Sequence, residues 1–279
     1  MTQYIFQAAC RGEINECYNG GTMIWDPKKT FSCLCKEGYK GELCKKEIDK
    51  CSEGPHTCDG SANCTNINGS FDCECKVSGF FWNGRTCTDV SEILKNEPIE
   101  FDNKLREWLP TEYGTGNWSI CWRATRDGWN GSVFHSNCDG RKPTLTIVQV
   151  IKTSKTYVFG GYATESWDDP GGDNFFEKYT SAPGSFLFSL RNNDDLGPFK
   201  APLKNESDTN AILRYGSFGP CFDQLWIVDN AGLTSYSSAD FGNRYQVPPG
   251  YTNDEPNTNS LLAGSLFFTP SEVEVLYLN

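Results

Sequence analysis

This chain of 279 residues is short of the groups on which many enzymes and nucleic-acid binders rely. It has only two histidines, His56 and His135, so a zinc cluster built from paired Cys/His ligands has little to draw on. It has 25 lysines and arginines against 36 acidic residues, a formal net charge of −11, and no basic block. Phosphates would be repelled, which excludes nucleic acid as a partner, and no stretch reads as a heparin or membrane-surface patch. The acidity suits solvated behaviour, or association with cations and basic surfaces. No apolar run approaches the ~18–20 residues of a membrane span. The longest apolar-leaning stretch, Leu145 to Ile151, is of strand length. There is no Gly-x-Ser-x-Gly elbow, no His-Glu-x-x-His helix and no phosphate-cradling glycine loop. Met1 to Ala9 is too short for a signal peptide and has no basic n-region.

Cysteine, by contrast, is plentiful: fourteen residues, six of them at Cys51, Cys58, Cys64, Cys73, Cys75 and Cys87. Thirty-seven residues cannot bury enough apolar surface to fold alone, but three disulfides can hold them by restricting the unfolded chain. Such a framework persists only in an oxidising compartment, so the protein is expected to be extracellular. The single-residue gap between Cys73 and Cys75 is too short for a zinc knuckle. Spacing alone leaves many connectivities open. The pattern, with Gly79-Phe80 before the last cysteine, resembles an EGF-like domain. That resemblance implies the pairs Cys51–Cys64, Cys58–Cys73 and Cys75–Cys87. An imperfect copy precedes it. Cys10, Cys17, Cys33, Cys35 and Cys44 surround Asn19-Gly20-Gly21-Thr22 and Gly38-Tyr39-x-Gly41, which also resembles an EGF-like domain. Met23 stands at the third cysteine position, so the resemblance leaves Cys17–Cys33 and Cys35–Cys44 and takes away the usual partner of Cys10. Because the cysteines demand secretion, the sequence is read as a mature or incomplete chain whose signal peptide lies outside it.

In the calcium-binding subclass of that family, ligands come from the segment before the first cysteine and from an Asn/Asp between the third and fourth. Cys64-x-Asn66-x4-Phe71-x-Cys73 matches the subclass pattern, including its Asn-hydroxylation motif. The resemblance implies a calcium set of Glu47, Ile48 through its carbonyl, Asn66, Ile67 and Ser70, with Asp49 in the leading segment. Lys50, however, stands where an oxygen ligand is expected. It removes one oxygen and adds repulsion to a divalent ion, so a weakened or absent site competes with an intact one. Five Asn-x-Ser/Thr sequons, at Asn63, Asn68, Asn117, Asn130 and Asn205, are candidate glycan sites on surface loops. At Asn63 the middle residue is a cysteine expected to be bridged.

After Cys87 the cysteine density collapses, which places a domain boundary near residues 88–90. Short helices are expected over Ser91–Leu94, Ile99–Leu109 (stopped by Pro110) and Arg126–Asn137. Strands are expected over Thr144–Val150, Tyr157–Tyr162, Phe186–Leu190, Ala211–Tyr215, Leu225–Val228 and Val273–Leu278, each bounded by Gly, Pro, Asn or Asp clusters. Their spacing argues for a sandwich, not a doubly wound sheet. Trp122-Arg123-Ala124-Thr125-Arg126-Asp127-Gly128-Trp129 is followed by Phe134-His135-Ser136-Asn137-Cys138-Asp139-Gly140. Then come Phe159-Gly160-Gly161-Tyr162, Phe186-Leu187-Phe188-Ser189-Leu190, Ile227-Val228-Asp229-Asn230 and Leu261-Leu262-Ala263-Gly264. This ordered series resembles a TLDc domain and implies two antiparallel sheets packed as a sandwich with helices at one side. Intracellular members are linked to oxidative-stress resistance and to regulation of the vacuolar proton pump, roles that do not suit a secreted chain.

Candidate chemistry in this part is sparse. His135 and Cys138 lie three apart, so one helix face could present both, yet a nucleophilic pair needs a third orienting group, and Cys138 is expected to be oxidised. The loops Asp168-Asp169-Pro170-Gly171-Gly172-Asp173 and Asn193-Asp194-Asp195 could gather calcium through oxygens, but neither fits the helix-loop-helix pattern, and solvated turns are expected. Cys121 and Cys138 flank the expected short helix and are assigned to a local bridge. Cys10 and Cys221 are then proposed to pair; the alternatives are free thiols or a bridge to another chain.

The expected architecture is multi-domain: EGF-like modules over residues 7–45 and 47–88, followed by a mainly-β TLDc sandwich with short flanking helices over residues 90–279. The combination resembles secreted proteins of marine invertebrates, including matrix proteins of coral skeletons. The function expected is that of a secreted, non-enzymatic extracellular-matrix or interaction protein of a mineralised matrix, with matrix proteins or a mineral surface as partners. The rival reading is an extracellular oxidative-stress or redox factor, which would require a free, low-pKa cysteine.

Overall fold

The computed structural model describes residues 17–25, 31–54, 56–58, 62–75, 80–82, 87–89, 91–111, 118–253 and 255–278, with the side chains of 25, 74–75, 80–82 and 87–89 outside that description. The chain divides into two compact units: Met1–Lys76 with Gly84–Cys87, and Val77–Asn83 with Thr88–Asn279.

The first unit is built from short hairpins. Strands β1 (Thr22–Trp25) and β2 (Phe31–Leu34) pair antiparallel and set Met23 directly opposite Cys33. Cys17 bridges Cys33 and Cys35 bridges Cys44, with Cα separations of 5.7 and 5.3 Å. Strand β3 (Tyr39–Lys40) pairs with β4 (Lys46–Glu47). In the second module β5 (Ala62–Ile67) turns into β6 (Ser70–Cys75) through Asn68-Gly69. Both turn residues have positive φ (30° and 83°), which a two-residue hairpin loop demands and Asn-Gly supplies. Cys51–Cys64 and Cys58–Cys73 are bridged, with Cα separations of 5.7 and 5.6 Å. The Cys75–Cys87 pair and Cys10 fall outside the described side chains. Two short strands, β7 (Phe80–Trp82) and β8 (Cys87–Asp89), follow.

The second unit is a sandwich of two six-stranded antiparallel sheets. The first runs, in spatial order, β14 (Phe199–Pro202), β13 (Phe186–Arg191), β11 (Lys155–Ala163), β10 (Thr144–Lys152), β20 (Glu272–Leu278), β9 (Trp118–Arg123). The second runs β12 (Tyr179–Thr180), β15 (Ile212–Leu213), β16 (Cys221–Phe222), β17 (Leu225–Trp226), β18 (Ser237–Ala239), β19 (Phe267–Phe268). One face of the first sheet presents Val148, Val150, Phe159 and Val275 to Phe222, Leu225 and Phe268 of the second. Its other face presents Leu145, Ile147, Val158, Phe186 and Phe188 to Ile93, Leu94 and the helix α1 (Ile99–Trp108). Cover on both faces buries Thr144 and Thr146 as fully as the apolar Leu145, Ile147 and Val148 between and beside them.

The helices differ from expectation in detail. Arg126–Asn137 is not one helix but two, α2 (Ala124–Asp127) and α3 (Gly131–Cys138). Gly128 sits at φ 111°, outside helical space, and Asn130 restarts the chain by accepting the Ser132 N–H at 2.9 Å. At the domain entry a 3₁₀ turn over Leu94–Asn96 replaces the expected helix over Ser91–Leu94, with the Ser91 hydroxyl accepting the Leu94 N–H at 3.0 Å. A last short helix, α4, spans Pro256–Leu261. In the second sheet the strands expected over Ala211–Tyr215 and Leu225–Val228 shrink to the two-residue β15 and β17.

Candidate functional site

The segment leading into the second module gathers the residues expected to hold calcium. Asn66 Nδ2 donates to Glu47 Oε1 at 2.9 Å, and the Gly69 N–H donates to the same oxygen at 2.7 Å. The Lys50 N–H donates to Asn66 Oδ1 at 2.8 Å. Asp49 accepts from the Cys51 and Ser52 N–H groups at 2.9 and 3.2 Å. Hydrogen bonding from Ser52 holds its carboxyl below the ordinary carboxylate range. Ile67 and Ser70 face each other beside the hairpin turn. Lys50 itself is only 7% exposed, and its ammonium lies 2.8 Å from Glu37 Oε1. That ammonium lowers the Glu37 pKa, through the hydrogen bond first and charge second.

Calcium needs six to eight oxygens converging at 2.3–2.6 Å. Here one side-chain oxygen each of Glu47, Asn66 and Asp49 receives N–H donors, and a cation sits at a ligand position. The set Glu47, Ile48, Asn66, Ile67 and Ser70 thus has Lys50 in place of one oxygen ligand and two of its side-chain oxygens, Glu47 Oε1 and Asn66 Oδ1, already hydrogen-bonded. Glu37, thirteen residues upstream of Lys50, was missed by the sequence reading; only the placement of a lysine among carboxylates hinted at a partner.

The other constellations resolve into structure. His56, Cys58 and Cys64 bring potential ligand atoms within 4.8 Å of one another, but Cys58 is bonded to Cys73 and Cys64 to Cys51, so neither sulfur is a thiolate. Cys138 is bridged to Cys121, with a Cα separation of 5.3 Å, which removes the Cys138 thiol as a nucleophile for His135. His135 Nδ1 instead meets Asp139 Oδ1 at 2.7 Å, and Nε2 lies 3.2 Å from the Tyr215 carbonyl. Burial raises the Asp139 pKa despite that histidine.

The acidic loops are tied down. Asp169 receives the nearly buried Lys178 ammonium at 2.7 and 2.9 Å and the Gly171 and Gly216 N–H groups at 2.8 and 2.7 Å. Asp168 accepts the Gly140 N–H at 2.9 Å. Asp194 accepts the Tyr251 hydroxyl at 2.6 Å, and Asp195 pairs with Lys155 at 2.9 Å. A buried carboxylate the sequence did not single out is Glu274 on β20. It accepts from the Ser91 hydroxyl (2.5 Å), the Glu92 N–H (2.9 Å) and Arg123 Nε (2.8 Å), and burial raises its pKa.

The proposed Cys10–Cys221 bridge is corrected. Cys221 is a free thiol on β16, with no exposed surface, and burial pushes its pKa up to about 12. A partner could reach it only by opening the sandwich. Among the sequons, Asn63, Asn68, Asn130 and Asn205 are exposed, and Asn117 lies outside the described residues.

Comparison with known proteins adds two matches to this geometry. A family model of the TLDc domain matches residues 88–278, and one of an EGF domain matches residues 51–87. EGF-like domains often bind calcium, which makes the donors spent around Asn66 notable in this one. Over 90 residues the chain is 33% identical to Protein HEG of Danio rerio, covering 32% of this chain and 9% of that protein. It is 43% identical over 68 residues to the Protein kinase C-binding protein NELL2 of Xenopus laevis, covering 24% and 8%. It is 42% identical over 76 residues to the Protein kinase C-binding protein NELL1 of Homo sapiens, covering 27% and 9%. The chain thus spans less than a tenth of the length of these curated relatives.

Proposed function

The chain belongs to the TLDc domain family and carries an EGF domain ahead of that domain, and from this premise we propose that it is a secreted, non-enzymatic interaction protein of the extracellular matrix. The reading takes residues 7–45 and 47–88 as display modules and residues 90–279 as the domain they present. The observation that carries it is the set of four bridges among the described residues of the first unit, Cys17–Cys33, Cys35–Cys44, Cys51–Cys64 and Cys58–Cys73. Modules this small depend on such bridges and must mature in an oxidising compartment. No helix among the described residues is long and apolar enough to cross a membrane. The net charge of −11 and the exposed sequons Asn63, Asn68, Asn130 and Asn205 favour a hydrated or mineralised matrix with protein or mineral partners.

The redox alternative is disfavoured by Cys221. It is the free thiol among the described residues, and burial with a pKa near 12 makes it a poor thiolate. An antibody against the sandwich, used on cell lysate, soluble extracellular and demineralised matrix fractions of the source tissue, tests the proposal. Recovery in the demineralised matrix is expected, and recovery in the lysate alone would overturn it.

A further inference from the structure

We propose that the joint between the two N-terminal modules is a calcium-independent clamp, in which the Lys50 ammonium stands in for a divalent ion. Four consecutive residues of the first module each grip the second. The Glu37 carboxylate takes the Lys50 ammonium at 2.8 Å. The Gly38 carbonyl accepts the Ile48 N–H at 2.8 Å, and Gly38 lies so close to the Gly69 backbone that any side chain there would collide with it. The ring of Tyr39 covers Gly69, where an added Cβ would come within 2.8 Å of the ring. Lys40 pairs with Glu53.

These contacts differ in weight. Lys40 and Glu53 are both about half exposed, and an exposed pair of that kind contributes little. Lys50 is different. Its side chain is 9% exposed and its stem crosses Gly54, where an added Cβ would lie 3.2 Å from both Cα and Cδ. Glu37 meets the ammonium from the other module with a side chain that is 91% exposed, so solvent screens the pair and the shielded Lys50 stem adds packing weight to it. The Lys50 N–H also fixes Asn66 Oδ1, and Asn66 in turn fixes Glu47, which pairs with Tyr39 across β3 and β4. The chain Glu37–Lys50–Asn66–Glu47–Tyr39 closes a loop of contacts around the joint. A dication would have to displace the N–H groups from Asn66 and Glu47 and approach a fixed positive charge.

Hydrogen exchange on the full-length protein tests this at two reporter amides, Ile48 and Gly69, in EDTA and in ~5 mM calcium, above the range typical of extracellular modules. The native protein should protect both amides equally in the two buffers. Glu37→Gln should cut Ile48 protection several-fold in both. Lys50→Glu should lose protection in EDTA and recover it in calcium. Calcium-dependent protection of the native protein would overturn the proposal, as would native-like protection of Lys50→Glu in EDTA. A Lys50→Glu protein that calcium does not rescue would overturn the equivalence with a divalent ion. If Lys50→Glu fails to form its disulfides, Glu37→Gln decides, since full Ile48 protection in that variant removes the clamp.

Discussion

Gly161 on β11 lies directly beneath the ring of Phe222 on β16, so close that a Cβ built on the glycine would strike three atoms of that ring. The two sheets approach at this point because one of them carries no side chain. Phe222 then meets Trp167 edge-on at 5.4 Å, and the Trp167 indole donates to the Thr144 hydroxyl at 2.9 Å. Gly161→Ala should therefore overpack the interface and destabilise the sandwich by about 1–3 kcal/mol. At roughly 2–4 °C per kcal/mol for a domain of this size, calorimetry should show the transition of the sandwich falling by several degrees. An unchanged transition would mean that the sheets do not meet at this glycine.

Reductant should separate the two units. Most module cysteines are only half-buried, whereas Cys138 is fully buried and Cys121 is 8% exposed. Mild reductant is expected to open the module bridges first and unfold the modules, leaving the sandwich and its Cys121–Cys138 bond intact. Loss of that one bond, which closes a 17-residue separation, should cost about 3 kcal/mol. Near-UV circular dichroism during a reductant titration, with mapping of alkylated cysteines, checks the order. Simultaneous loss of both units would contradict it.

Much of this was legible in the sequence because single residue types carry it. Disulfide spacing marked the modules, a β-branched run marked β10, and an aromatic-rich one marked β11. The strands missed in the second sheet, β12, β16, β18 and β19, have two or three residues each and no period to read. They exist because their neighbours pair with them, which local propensity does not report. The Cys10–Cys221 pairing came from counting cysteines, and parity carries no information about burial. Lys50 stood out at an oxygen-ligand position, but Glu37 could be recognised as its partner only once the two modules were folded against each other.

Cys221 should be silent toward thiol reagents in the native state. Its sulfur is buried against the Ile227 carbonyl at 3.8 Å, and its pKa of about 12 leaves almost no thiolate at neutral pH. Alkylation of the native protein followed by peptide mapping should find Cys221 unmodified, and full modification should appear only in denaturant. Rapid native labelling would revive the redox reading set aside above.

Asp169 supplies a pH test. Burial alone would raise its pKa, but the Lys178 ammonium and the Gly216 and Gly171 N–H groups outweigh that and bring it below 3.8. A carboxyl depressed in the folded state stabilises the protein above its unfolded pKa, and that stability is lost as the pH falls through the folded value. Glu274 works in the opposite sense, because burial raises its pKa and its ionisation is the unfavourable state. The informative quantity is therefore the difference between native protein and Asp169→Asn, not either stability alone. At neutral pH the variant leaves Lys178, 5% exposed, without its carboxylate. The expected cost is about 1–3 kcal/mol, below the ~3–5 kcal/mol of a fully buried pair because the Asp169 side chain is 26% exposed. As the pH falls from the ordinary aspartate value, 3.8, through the lowered folded value, the native aspartate is protonated and the difference should shrink. Urea unfolding of the sandwich at neutral pH and near pH 3 measures both values. A difference that stays constant across that range would show that the Asp169 charge contributes nothing to holding Lys178.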